Sequence, residues 1–106
     1  MDGLRQAANE SYLPWGLLAR AVLRRLRQDT DGAASDLTEA EEIAERGHML
    51  LHLADVLLER TRLHLAAGER DAARRHLGRA RELVTSCGYG RREREVAYLE
   101  RRLATW

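Results

Sequence analysis

The sequence contains no phenylalanine and no lysine, and it has one proline and one cysteine in 106 residues. Each shortage excludes something. With Cys87 alone there is no disulfide framework and no thiolate cluster for zinc, so Cys87 reads as a buried or idle thiol. Pro14 is the only helix breaker of its kind and Ile43 the only isoleucine, which leaves little to favour strands over helices. No apolar run approaches the roughly 18 residues of a membrane span, and the opening MDGLRQAANE lacks a signal-peptide core. These shortages predict a cytoplasmic chain that takes no cofactor or metal and does not enter a membrane.

What the sequence does contain is leucine and alanine, within an apolar share of 44%. That is a helix vocabulary, in a chain long enough for one domain that buries its own core. All 18 basic residues are arginine, as the codon usage of a GC-rich genome would give. The net charge of +1 is too small to steer the whole chain toward nucleic acid or an anionic membrane. Charge is nevertheless segregated. Between Asp29 and Glu45 the acids Asp29, Asp31, Asp36, Glu39, Glu41, Glu42 and Glu45 meet no base, and the second half is richer in arginine.

Shifting the sequence by 40 places lays Leu17 on Leu57, Leu18 on Leu58, Arg20 on Arg60, Leu23 on Leu63, Asp31 on Asp71, Ala33 on Ala73, Leu37 on Leu77, Ala40 on Ala80 and Glu42 on Glu82. Two copies of one supersecondary unit explain this self-match. Each copy reads as two helices. The first helix takes Pro14 early, carries the stripe Leu17, Leu18, Ala21, Val22, Leu26 and fades at Gln28 to Thr30. Asp29 or Asp31 caps the second, whose face is Ala33, Leu37, Ala40, Ala44 and which Gly47 ends after Arg46.

A long third helix is expected over His48 to Ala67, stopped by Gly68. Leu50, Leu51, Leu53, Ala54, Val56, Leu57, Leu58, Thr61, Leu63 and Leu65 cover most of its circumference, which predicts a central element surrounded by others. The fourth, over Arg70 to Ser86, has the face Ala73, Leu77, Ala80, Val84 and ends at Gly88. The last, over Arg91 to Ala104, has the narrow stripe Val96, Leu99, Leu103 of a cap. The organisation is thus a single domain: residues 1–11 a tail or the remnant of an earlier helix, 12–47 and 48–88 two repeats, and 89–106 the capping helix.

Gly68, Ala73, Leu77 and Ala80, with Gln28, Ala33, Leu37 and Ala40 before them, resemble the second half of a tetratricopeptide repeat. Small residues let the paired helices approach and the large one fills the groove between them. The family's large first-helix aromatics are replaced by Leu17 and Leu57, and the 40-residue period exceeds its usual length of about 34. The surplus fits an extension of the third helix over His48 to Leu53. LPWGLLARA, LHLADVLLERTRL and CGYGRRE are similar to longer repeats that end large bacterial multidomain signalling proteins. That likeness implies the C-terminal part of a sensor or scaffold.

The family resemblance implies an all-α, right-handed solenoid of two antiparallel hairpins plus a capping helix. It also implies a non-catalytic module whose first helices line a groove for a peptide or partner protein. Its inner-wall positions fall on Trp15, Leu18, Val22 and Arg25, and on Asp55, Leu58, Arg62 and Leu65.

Other constellations carry weaker readings. His48 and His52, near Glu45 and Asp55, trace a metal-site spacing, but Asp55 is more simply a hydrogen-bond partner for His52. His64 and His76 stand apart from any nucleophile pattern, and GxGxxG, a phosphate loop and HExxH are missing, so no enzyme is expected. Arg70, Arg74, Arg75, Arg79 and Arg81, followed by Arg91, Arg92 and Arg94, are interleaved with Glu69, Asp71, Glu82, Glu93 and Glu95. This mixture reads as a solvated face with i, i+4 pairs more than as a nucleic-acid surface. Self-association is the alternative to a foreign partner, through acidic helix two of one copy and basic helix four or five of another. Trp15 and Trp106 are the aromatic candidates for an interface.

Overall fold

The computed structural model describes residues 13–105, and these fold into five α-helices with no strand. The helices are α1 (Leu13–Leu26), α2 (Thr30–Arg46), α3 (Leu50–Ala66), α4 (Arg70–Ser86) and α5 (Glu93–Thr105), the last entered through a 3₁₀ turn at Gly90–Arg92. The expected tail or helix remnant in residues 1–11, and Trp106, lie outside the described residues. No described helix is long and apolar enough to cross a membrane.

A shorter module than the 40-residue repeat underlies the architecture. Helices α2, α3 and α4 each have 17 residues and begin at Thr30, Leu50 and Arg70, so helix plus three-residue linker makes a 20-residue unit. The 40-residue period is therefore divided evenly between equal helices, and the expected extension of the third helix is not what lengthens it. In each linker the middle residue is left-handed: Gln28 (φ 65°), His48 (φ 53°), Gly68 (φ 77°) and Gly88 (φ 66°). The next N–H then reaches back five residues, from Asp29 to Arg24, Met49 to Ala44, Glu69 to His64 and Tyr89 to Val84, at 2.8–2.9 Å. That is the Schellman closure, which satisfies carbonyls left over at a helix end. Gly47 caps the end of α2 after Arg46, as expected, with the left-handed residue one place further on. One expectation is corrected: His48 belongs to the linker, so the third helix starts at Leu50. Asp29 caps α2 as expected, its Oδ1 accepting from the Gly32 N–H at 3.0 Å.

Packing follows the apolar stripes. Leu17 and Ala21 of α1, Ala33, Leu37 and Ala40 of α2, and Val56 and Leu63 of α3 form one core cluster. Leu53, Leu57 and Leu58 of α3, Ala73, Leu77, Ala80 and Val84 of α4, and Val96, Leu99 and Leu103 of α5 form the other. Because α3 supplies both, it touches all four other helices, as its apolar circumference predicts. Its first two leucines are the exception: Leu50 and Leu51 project beyond the neighbouring helices and stay exposed. The odd-numbered helices also touch in sequence, α1 on α3 and α3 on α5, which gives the molecule a wall made of these three.

Candidate functional site

On that wall Trp15, Leu18 and Val22 of α1, Asp55, Leu58, Glu59 and Arg62 of α3, and Arg92 and Glu95 ahead of and within α5 line a cavity of about 290 Å³. The structure thus brings together Trp15, Leu18, Val22, Asp55, Leu58 and Arg62, all anticipated for the inner wall. Arg25 does not line the cavity but is paired to a residue that does. Leu65 is turned away, partly buried against the second core cluster. Helical spacing explains the grouping. Trp15, Leu18, Val22 and Arg25 recur at three- and four-residue intervals on α1, as do Asp55, Leu58, Glu59 and Arg62 on α3, and two adjacent helices present their faces side by side.

One continuous chain of alternating charges runs across the wall. Arg25 donates to Glu59, and Arg62 Nη1 donates to the same carboxylate at 3.3 Å. Arg62 also donates to Glu95, which accepts from Arg92 Nη1 at 2.7 Å. Arg92 Nε in turn reaches Asp55 Oδ1 at 2.7 Å, and the Tyr89 hydroxyl donates to Asp55 Oδ2 at 3.3 Å. The hydrogen bond to Asp55, with the fields of Asp55 and Glu95, outweighs desolvation and raises the Arg92 pKa further, so this cation persists at any working pH. Asp55 was expected to serve His52; instead its carboxylate takes Tyr89 and Arg92, while the His52 ring is buried against Trp15, centroids 4.1 Å apart.

Glu59, Tyr89, Arg92 and Glu95 were not anticipated. A signal for Glu59 existed: a carboxylate in a helix apolar nearly all round is either exposed or paired, because an unpaired buried charge is prohibitive. Glu59 is 1% exposed and flanked by two guanidiniums. Arg62, three residues on, was within reach of helical spacing, but Arg25, 34 residues before Glu59, was not. No family model, curated protein or solved structure matches this chain. Three arginines and three carboxylates neutralise one another, so the wall offers apolar surface framed by fixed, mutually oriented charges, with no bare cation or anion to dominate binding.

The remaining candidates fall elsewhere. His48 is exposed in its linker, and among the described residues no three of His, Cys, Asp and Glu are gathered as for a metal. His64 of α3 and His76 of α4 stack with parallel rings, centroids 5.0 Å apart, and His64 Nδ1 lies 2.8 Å from Glu69. The arginines of α4 pair between helices more than along one. Arg79 reaches Glu41 and Glu45 of α2 at 3.2 and 3.0 Å, and Arg81 reaches Glu100 of α5 at 2.7 Å. Burial alone would raise the Glu41 pKa, but hydrogen bonds and charge from Arg60 and Arg79 outweigh it and hold the carboxyl below its ordinary value. These pairs engage, inside one chain, Glu41 and Glu45 of α2 and Arg79 and Arg81 of α4. They also reduce the free positive charge on α4 to the exposed Arg70, Arg74 and Arg75.

Proposed function

We propose that this chain is a non-catalytic protein-interaction module, a cytoplasmic right-handed solenoid of tetratricopeptide type. Its ligand is a peptide or protein segment held against the wall shared by α1, α3 and α5. The observation that carries the reading is the cavity itself: Trp15, Leu18, Val22 and Leu58 supply apolar surface, and the Arg25-to-Asp55 ion chain frames it. Trp15 leaves 52% of its surface in solvent although its ring is braced by His52, so it offers a large apolar contact at little ordering cost. Each charge on the wall is already paired, so a bound segment gains by covering apolar surface and hydrogen-bonding to oriented groups, and not by neutralising a bare charge.

Selection of a random peptide library on the immobilised chain tests the proposal. The expected result is an enriched motif containing at least one apolar anchor, whose binding drops roughly tenfold, about 1.4 kcal/mol, with Trp15→Ala and further with Val22→Asp. Enrichment of nothing, or of peptides indifferent to both substitutions, sinks it.

A further inference from the structure

Internal symmetry identifies a second surface, on the opposite flank of α1 from the cavity. Leu23, Leu63 and Leu103 occupy one position of the 40-residue repeat, yet Leu63 and Leu103 are 3% and 4% exposed and Leu23 is 52% exposed. The described surroundings of the three differ. Leu63 is covered in the cluster containing Ala33, Leu37 and Ala40 of α2, and Leu103 in the one containing Ala73, Leu77 and Ala80 of α4. The same Ala-x3-Leu-x2-Ala stripe therefore covers the same leucine twice, and among the described residues nothing covers it the third time.

Charge repeats with it. The residue just after the last alanine of the stripe pairs with the helix it covers: Glu41 with Arg60, and Arg81 with Glu100, each at 2.7 Å. The two pairs are 40 residues apart with their signs exchanged. On α1 the corresponding residue is Arg20, half-exposed, which directs Nε and Nη2 to Asp36 and has no acceptor for Nη1 among the described residues. Gly16 and Ala19, both exposed, complete the face and permit close approach.

We infer that this face of α1, centred on Leu23 and Arg20, docks an amphipathic helix of a partner chain that carries an Ala-x3-Leu-x2-Ala stripe followed by a carboxylate, as α2 does. A second copy of this chain does not meet the description, since among its described residues the stripes of α2 and α4 are both buried in its own core.

The probe is a synthetic peptide with the sequence of residues 29–47, held helical by a lactam between positions 31 and 35, which are exposed on α2. Titrated calorimetrically into the full chain, it should bind saturably. Leu23→Asp, a change at a half-exposed site, should weaken it at least about tenfold, and a peptide bearing Glu41→Arg should bind roughly fivefold more weakly through repulsion by Arg20. Val22→Asp, on the cavity side, should leave this binding unchanged, which separates its failure from that of the groove reading. No saturable binding by a peptide shown to be helical by circular dichroism overturns the inference. So does binding indifferent to Leu23→Asp, because the peptide would then have exchanged with α2 itself. A dimer of the free chain that Leu23→Asp dissolves also overturns it, by placing a second copy on the face.

Discussion

Residues with left-handed backbone are the plainest local conflict in this molecule. Gln28 and His48 adopt φ of 65° and 53°, a region that brings Cβ close to the following carbonyl, whereas the equivalent linkers use Gly68 and Gly88. Gln28→Gly and His48→Gly are each expected to stabilise the chain by about 1 kcal/mol, read as a higher urea midpoint at unchanged slope. Glu59 is the opposite case, a buried residue that fits its surroundings only as an anion. Glu59→Gln removes the charge and takes from Arg25, largely covered, its carboxylate partner, while Arg62 keeps Glu95, so a loss of about 2–4 kcal/mol is expected in the same measurement.

Between elements, the α3–α4 hairpin contains a pair of histidines whose charges oppose each other. Burial chiefly, then the positive fields of His64 and Arg60, lower the His76 pKa below its ordinary value near 6.5, with Arg75 adding and Glu41 opposing. The folded state thus binds fewer protons than the unfolded one in that range. Stability from this group is complete above about pH 6.5 and is lost as pH falls from there toward the lower folded-state value. Urea midpoints should decline between pH 7.5 and 5, and His76→Gln should flatten that part of the profile. Across the wall, the ion chain ties α1, α3 and α5 together, so a double-mutant cycle on Arg62 and Glu95 should give a coupling of about 0.5–1.5 kcal/mol, weakening with salt.

At the scale of the whole molecule, α3 belongs to both core clusters, through Val56 and Leu63 on one side and Leu53, Leu57 and Leu58 on the other. Neither hairpin can lose its packing without exposing a face of this helix. Unfolding is therefore expected to be one transition, with midpoints by far-ultraviolet circular dichroism and by Trp15 fluorescence coinciding in a Trp106→Tyr background. Leu57→Ala should lower stability by about 2–5 kcal/mol and shift both probes together, although Trp15 lies outside the cluster that holds Leu57. Separate midpoints would mean that the hairpins behave as independent repeats.

The apolar periodicity, the glycines at Gly68 and Gly88 and the Ala-Leu-Ala stripes already specified helices at nearly their true positions, because helix spacing and helix termination are encoded within a few residues. The family resemblance implied an inner wall at Trp15, Leu18, Val22, Asp55 and Arg62, and their helical spacing agrees with it, so two thin strips of the wall were legible before any fold. Partners across the fold were not. That Asp55 answers to Arg92, that Glu59 is shared by Arg25 and Arg62, and that Arg79 reaches back to α2 depend on distances closed by packing over 34 to 38 residues. Charged pairs form with whatever the backbone brings within reach, and many arginines and carboxylates in this sequence are interchangeable until it does. The fate of Leu23 shows the same division. Sequence made it the equal of Leu63, and only the tertiary structure, by covering one and leaving the other bare, turned identical residues into core and surface.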